Sequence, residues 1–346
     1  MKGIAAVAPG AWYRTAALAG VGLILACTPP RHQFQWEIMG TYLRVTIIGE
    51  SRSVAAEAAE AAFAAVCHVD SILSIYKPES DFSRINRAAG AETVTVSRQT
   101  MDVLEASGRF HRMTEGAFDP SVGPLMQLWK LQGEGRVPDP AEIDSTLKLV
   151  GYSRVYIDRH SCTAHLPARM RLDSGGIGKG YAADIARGTL ARSGITHCMV
   201  DLGGNLAVLG SGPSHDNWEV GIRNPLHRDR LIGSVEITDL AVATSGQYEQ
   251  YFVRDGKRYG HIVDPRTGRP AEGMLSVTVL APDATTTDAL STGVFVLGPA
   301  RGMELIERLQ GVEGIIITDP GQGRELSRED VLLSSGLHER IRWAIP

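Results

Sequence analysis

Along residues 41–48 the chain reads Thr-Tyr-Leu-Arg-Val-Thr-Ile-Ile, an alternating, β-branched run that predicts a strand. The period changes after Ser51. Up to Ser74 the chain is alanine-rich, with Val54, Ala58, Ala61, Ala65 and Ile72 near helical spacing, which predicts a long helix. A second helix is expected over 97–113 with Ser97 as its cap, and another start at Asp119-Pro120, with proline at the first helical position. Residues 133–140 form the clearest loop, a weak boundary because helix-like 141–149 follows at once.

From Ser153 strands dominate, over 154–157, 196–201, 206–209, 218–222, 235–238, 275–280 and 314–318. Residues 251–259 carry a hairpin signal with Asp255-Gly256 at the turn. Helices interrupt this half after Gly180, near 288–296 and over 301–309. Hairpins mixed with helices, without regular βαβ alternation, predict an α+β fold: a mixed, largely antiparallel, strand-rich core with flanking helices.

The first residues differ in kind. Lys2 and Arg14 precede a short apolar, small-residue stretch over 15–27, the pattern of a secretory signal. Ile24-Leu-Ala-Cys27 resembles a bacterial lipobox, although the Leu25 position more often holds a small residue; a plain signal peptide is the alternative. Residues 1–26 are therefore expected to be a lipoprotein signal peptide, Cys27 the lipidated residue, 27–35 a tether and 36–346 a single domain. The product would be exported and anchored to a bacterial membrane, facing the periplasm. Beyond residue 30 no apolar run reaches the ~18 residues that span a bilayer.

The 346 residues are 43% hydrophobic and 21% charged, with a net charge of −4 and no basic run, which excludes a nucleic-acid backbone binder. Cys67, Cys162 and Cys198 remain after Cys27. None has metal-ligand spacing, and Cys67 and Cys198 read as small buried hydrophobes, with a Cys162–Cys198 bridge as an open alternative.

Three segments carry candidate chemistry. In Arg171-Leu-Asp-Ser-Gly-Gly-Ile-Gly-Lys-Gly-Tyr181 a strand is expected to enter a glycine turn ahead of a helix. Glycines allow close ligand approach, and a helix N-terminus with a lysine suits phosphate. The spacing matches neither a P-loop nor the dinucleotide fingerprint. Asp288 and Thr292 share a helix face and offer hard oxygens of the kind Mg²⁺ uses. His261, in Gly260-His-Ile-Val-Asp-Pro-Arg-Thr-Gly-Arg-Pro270, stands where a strand meets a turn and could accept a proton. Each has a plain structural explanation by itself, as do Asp119, explicable as a cap, and the small-residue turn expected over 243–248.

In order, however, the segments resemble the ApbE-type flavin transferase family. The resemblance runs through Met39-Gly-Thr41, Ser74-Ile-Tyr-Lys-Pro, Ser83-Arg-Ile-Asn86, Ala117-Phe-Asp-Pro, Asp173-x-Gly-Gly-Ile-Gly-Lys-Gly-Tyr, Gly203-Gly-Asn205, Ala243-Thr-Ser-Gly, His261-Ile-Val-Asp-Pro-Arg-Thr-Gly268 and Asp288-Ala-Leu-Ser-Thr-Gly. It implies transfer of FMN from FAD, with Mg²⁺, to a Ser or Thr hydroxyl of an acceptor protein, releasing AMP. Acceptors in the family include membrane redox-pump subunits and exported reductases. Carried over by position, Met39 and Tyr76 would line the flavin site, and Ala117, Phe118 and Asp119 the adenosine side. Asp173, Lys179, Ser245 and His261 would also hold FAD. Asp288, Thr292 and the backbone carbonyl of Gly176 would bind the metal, with Gly178 the alternative carbonyl. His261 would be the candidate base, and Asp288 could share that task. The same site could instead hydrolyse FAD to FMN and AMP, or only bind it.

Overall fold

The computed structural model describes residues 29–131, 133–213, 217–247, 250–321 and 323–346; the expected signal peptide and Cys27 lie outside them. The fold opens with a hairpin, β1 (Arg31–Ile38) and β2 (Thr41–Ile48). Its two-residue tip, Met39 and Gly40, has φ of 54° and 69°, the left-handed pair that matches strand twist. Strand β1 corrects the expected tether. Residues 31–35 belong to the sheet, because Phe34, Trp36 and Ile38 alternate onto the core and the Trp36 ring stacks on Phe63 at 4.8 Å.

Helix α1 (Arg52–Leu73) is capped by Ser51, whose Oγ accepts from Val54 N. After α2 (Asp81–Arg87) and β3 (Val94–Thr95) comes α3 (Arg98–Met113), capped by Ser97 as expected, with Thr100 N donating to its Oγ at 3.1 Å. The helix expected at Asp119 begins four residues later, as α4 (Gly123–Trp129). Asp119 turns inward instead, a buried carboxylate closing a tight turn. Next follow α5 (Pro140–Leu147), a 3₁₀ turn over Tyr152–Arg154, β4 (Tyr156–Asp158) and β5 (Thr163–His165). Arg171, expected on a strand, makes only an isolated bridge to Val122 before α6 (Gly178–Arg192).

The second half supplies β6 (Cys198–Leu202), β7 (Asn205–Leu209), β8 (Trp218–Arg223), β9 (Leu231–Ile237) and β10 (Ala241–Gly246). Strand β10 covers residues expected to form a turn; its small side chains fit under a helix rather than mark a bend. Then come β11 (Tyr251–Arg254), β12 (Lys257–Gly260), β13 (Val263–Asp264), β14 (Arg269–Pro270) and β15 (Met274–Ala281). The chain ends with α7 (Ala284–Leu297), α8 (Pro299–Arg308), β16 (Glu313–Thr318), β17 (Val331–Leu333) and β18 (Ile341–Trp343).

An antiparallel sheet in the order β1-β2-β6-β7-β10-β15-β16-β17 forms the middle layer. Alternate residues of each strand feed opposite cores. Leu43, Val45, Val200, Val277 and Ile316 face the helices. Val208, Leu280, Ile315 and Ile317 face the small sheet β18-β9-β8. Burial on both faces is why 314–318 reads as an unbroken apolar run. On the helical side, Ala55, Ala58, Ala59 and Ala62 of α1 are buried, as are Ala182, Ala183 and Ala186 of α6. Such small residues let the two helices pack closely over the strands. Cys67, Cys162 and Cys198 are free, Cys198 buried and Cys67 half-buried, so no Cys162–Cys198 bridge forms. Among the described residues no helix is long and apolar enough to cross a membrane.

Candidate active site

The amino-terminal ends of α6 and α7 meet over β7 and β10. Helix α6 starts at Gly178 with no side chain of its own capping it. Asp288, one turn into α7, does so instead: Gly180 N donates to its Oδ2 at 2.8 Å. Gly180 is required there, since a Cβ would fall 2.1 Å from Ala284 O and 2.6 Å from Asp288 Cβ. Burial pushes the Asp288 carboxyl above the usual carboxylate range, opposed by the Lys179 charge and the amides of Lys179 and Gly180. A carboxylate whose buried charge a cation would neutralise suits metal binding.

One turn further along α7, Thr292 Oγ1 lies 3.3 Å from Ser245 Oγ, which also meets Ser291 Oγ at 2.9 Å. A Cβ on Gly176 would lie 3.3 Å from Thr292 Oγ1 and 3.2 Å from Phe118 Cε2. The fold therefore gathers Gly176, Ser245, Asp288 and Thr292 from three separate segments. Among the described residues no three His, Cys, Asp or Glu side chains cluster as a metal-holding set. A cation here would be held by one carboxylate with hydroxyl and carbonyl oxygens, a set suited to Mg²⁺, which keeps waters and takes substrate phosphate oxygens.

Asp173 lies in the glycine loop. Its Oδ1 accepts from Gly175 N at 2.7 Å, while its buried Oδ2 has no hydrogen-bond partner among the described residues, and burial raises its pKa. A buried carboxylate oxygen without a donor is costly, and a nucleotide donor arriving at the loop would satisfy it. Lys179 Nζ lies 3.4 Å from Gly175 O, so its charge sits beside the same loop. Ser174 Oγ donates to Leu73 O at 3.0 Å, tying the loop to the end of α1 and the segment carrying Tyr76.

Tyr76 is 70% exposed, so its ring offers a stacking face. The Met39 side chain projects from the hairpin tip, its Cε 3.8 Å from where a Gly178 Cβ would stand. A non-glycine residue at positive φ costs about 1 kcal/mol, and such strain gathers at ligand sites.

Ala117, Phe118 and Asp119 are buried. The Asp119 carboxylate accepts from Ser121 N at 2.7 Å, Ser121 Oγ at 2.5 Å and Tyr152 N at 2.9 Å, and pairs with His111 Nδ1 at 3.3 Å. That partnership, led by the hydrogen bond, raises the His111 pKa. With the Asp119 carboxylate engaged in the fold, the segment offers a ligand its backbone and the Phe118 ring edge beside Gly176.

His261 follows β12. Its Nδ1 lies 3.1 Å from Gln250 O. A carbonyl only accepts, so Nδ1 carries the proton and Nε2 is the basic nitrogen of the neutral ring. Gly260 packs against the Gln247 side chain, two residues beyond Ser245, which brings the His261 segment to the same end of β10. A broad cleft of about 1060 Å³ between α3, α6 and the start of α7 is lined by Arg109, His111, Tyr181 and Arg187 among others, and by none of the residues expected to hold the nucleotide.

Sequence reasoning missed Asp184, whose carboxylate accepts from Ala284 N, Thr285 N and Thr285 Oγ1 at 2.7–2.8 Å. A lone helical acid carries no signal for that. Ser291 was likewise legible only as part of a quoted motif.

Residues 39–316 match the model of the ApbE family. The chain is 34% identical over 318 residues to an FAD:protein FMN transferase of Vibrio cholerae, covering 88% of this chain and 94% of that one. It is 32% identical over 311 residues to one of Klebsiella pneumoniae, covering 89% and 92%. The solved structure of an ApbE protein from Thermotoga maritima superposes with a TM-score of 0.81 at 32% identity, covering 90% of this chain and 99% of that one. That of the flavin transferase ApbE from Vibrio cholerae gives 0.78 at 30% identity, covering 90% and 99%.

Proposed function

This chain belongs to the ApbE family, and we propose that it is an FAD:protein FMN transferase acting with Mg²⁺ at the α6–α7 junction. The observation that carries the reading is the gathering of Gly176, Ser245, Asp288 and Thr292 beside the partnerless Asp173 oxygen. The acceptor's Ser or Thr oxygen attacks the FMN-side phosphorus, and the bond from that phosphorus to the bridging oxygen breaks. AMP leaves with the bridging oxygen, and FMN stays on the acceptor as a phosphoester.

Asp288, Thr292 and the Gly176 carbonyl would hold the cation. It would neutralise charge developing on the pyrophosphate oxygens. Asp173, Lys179 and Ser245 bind and orient the nucleotide, and Met39 and Tyr76 receive the flavin. His261 Nε2 takes the acceptor proton, a contribution of ~10²- to 10⁴-fold for a positioned base. The chain's own α6 N-terminus adds a positive end beside the phosphates.

Incubation with FAD, Mg²⁺ and a Ser/Thr-containing acceptor fragment tests the reading. AMP with a flavin-labelled fragment supports transfer; AMP with free FMN makes the protein a pyrophosphatase, and bound FAD with neither product makes it a binder. The acceptor is an exported flavoprotein, such as a membrane redox-pump subunit or a reductase. Residues 1–26 direct export and Cys27 carries the lipid anchor, so Cys27→Ser should move the protein from the membrane to the soluble fraction. Retention on the membrane would sink that assignment.

A further inference from the structure

Asn205 closes the Gly203-Gly-Asn205 turn between β6 and β7, a motif to which no role has been attached. It is 5% exposed, and its Oδ1 is buried with no hydrogen-bond partner. Its orientation is settled by the other end of the amide: Nδ2 donates to Leu202 O at 3.4 Å. Turning the amide over would set two acceptors against each other and leave an orphan all the same. Leaving such an oxygen dry costs about 1–3 kcal/mol. Among the described residues no donor reaches it.

Its place is fixed by register. Asn205 pairs with Leu202, and Ala207 with Ala241, all with side chains on the helix-facing side where Leu202, Ala207 and Ala241 join one core. One step further along the β7–β10 register, Asn205 comes opposite Ala243, two residues before Ser245. Helix α6 runs alongside β7, with Arg187 Nη1 at 3.5 Å from Val208 O. Back from that contact, three strand residues and seven helical residues each cover about 10 Å. Asn205 thus falls near the level of the first turn of α6, where Gly180 N–H holds Asp288.

We infer that Asn205 is a positioning residue of the cation site, its Oδ1 facing the hydrated divalent cation held by Asp288 and Thr292. The inference rests on the metal assignment proposed above. An amide oxygen only accepts, so its partner is a donor or a cation and not a phosphate oxygen. The charged groups at that level are the Asp288 carboxylate, itself an acceptor, and Lys179, whose Nζ is turned to Gly175 O at 3.4 Å; a hydrated cation is what reconciles the acceptors. Residues that support a metal in this way typically change its affinity by 10- to 100-fold when lost.

The test is Mn²⁺ binding, followed by electron paramagnetic resonance, on the full-length protein in detergent, with thermal unfolding alongside. Asn205→Leu keeps the branched four-atom shape with a somewhat larger volume and removes the orphan, so the fold should be retained. Mn²⁺ affinity should fall about 10-fold or more, and Asn205→Asp, which keeps an oxygen, should restore it. Should leucine not be accommodated, Asn205→Ala makes the same measurement. Wild-type binding with unchanged affinity in Asn205→Leu or Asn205→Ala overturns this inference alone. Absence of Mn²⁺ binding to the wild type, with Asp288→Ala no different, overturns the metal assignment and the inference with it.

Discussion

The carboxylates of Asp184 and Asp288 each close the amino-terminal end of the other's helix. Asp288 of α7 takes Gly180 N of α6, and Asp184 of α6 takes Ala284 N and Thr285 N of α7. The two helix starts are locked as a pair, which sets the position of the carboxylate assigned to the metal. Asp184 also pairs with Arg187 at 3.2 Å. Asp184→Ala orphans buried donors and should cost about 3 kcal/mol. Thermal unfolding should shift down by roughly 5 °C or more. An unchanged melting temperature would remove the reciprocal lock from the account.

Gly180→Ala acts on the same junction by sterics. The added methyl would meet Ala284 O and Asp288 Cβ, backbone and helix-borne atoms that cannot swing aside. The helices must separate, at about 1–3 kcal/mol, and Asp288 moves with them. AMP release from FAD should fall by at least tenfold at temperatures where the variant stays folded. Full activity with a lowered melting temperature would mean that the Asp288 position tolerates the shift.

Much of this junction could be read in the sequence, for definite reasons. The helices over 52–73 and 98–113 have strong periods, and the Ser97 cap expected for the second forms. Asp288 and Thr292 share a helix face by spacing alone, which the structure retains. Other features needed three dimensions. Asp119-Pro120 carries the residue types of a helix start, but its carboxylate is claimed by Tyr152 N, distant in sequence. Residues 243–246 are small because α7 lies on them, and smallness alone read as a turn. Strand β1 was visible in the alternation of Phe34, Trp36 and Ile38 but hidden by its nearness to the expected signal segment.

Tyr76 separates binding from folding. A ring 70% exposed contributes little core, so Tyr76→Ala should leave stability within about 0.5 kcal/mol. Loss of an aromatic stack of about 0.5–1.5 kcal/mol predicts a 2- to 12-fold weaker FAD Kd. Quenching of flavin fluorescence on titration measures it, with Tyr76→Phe expected to bind as the wild type does. Equal affinities in Tyr76→Ala would place the flavin elsewhere.

The pH dependence of the metal-free protein follows from its buried acids. Burial raises the pKa of Asp173, Asp184 and Asp288 above the unfolded carboxylate value of about 4. Between that value and the raised ones the native state holds more protons than the unfolded state. Stability from these groups is therefore complete below pH ~4 and is lost as pH rises through the folded values. Asp288→Asn keeps an acceptor for Gly180 N and cannot ionise, so its melting temperature should gain on the wild type as pH increases from 5 to 8. A divalent cation needs the ionised carboxylate, so wild-type Mn²⁺ affinity should strengthen over the same range, by up to about tenfold per pH unit below the raised pKa. Saturating metal should then narrow the stability gap between the two proteins at high pH. A gap that stays constant from pH 5 to 8, with or without metal, would mean that Asp288 is already ionised in the folded protein.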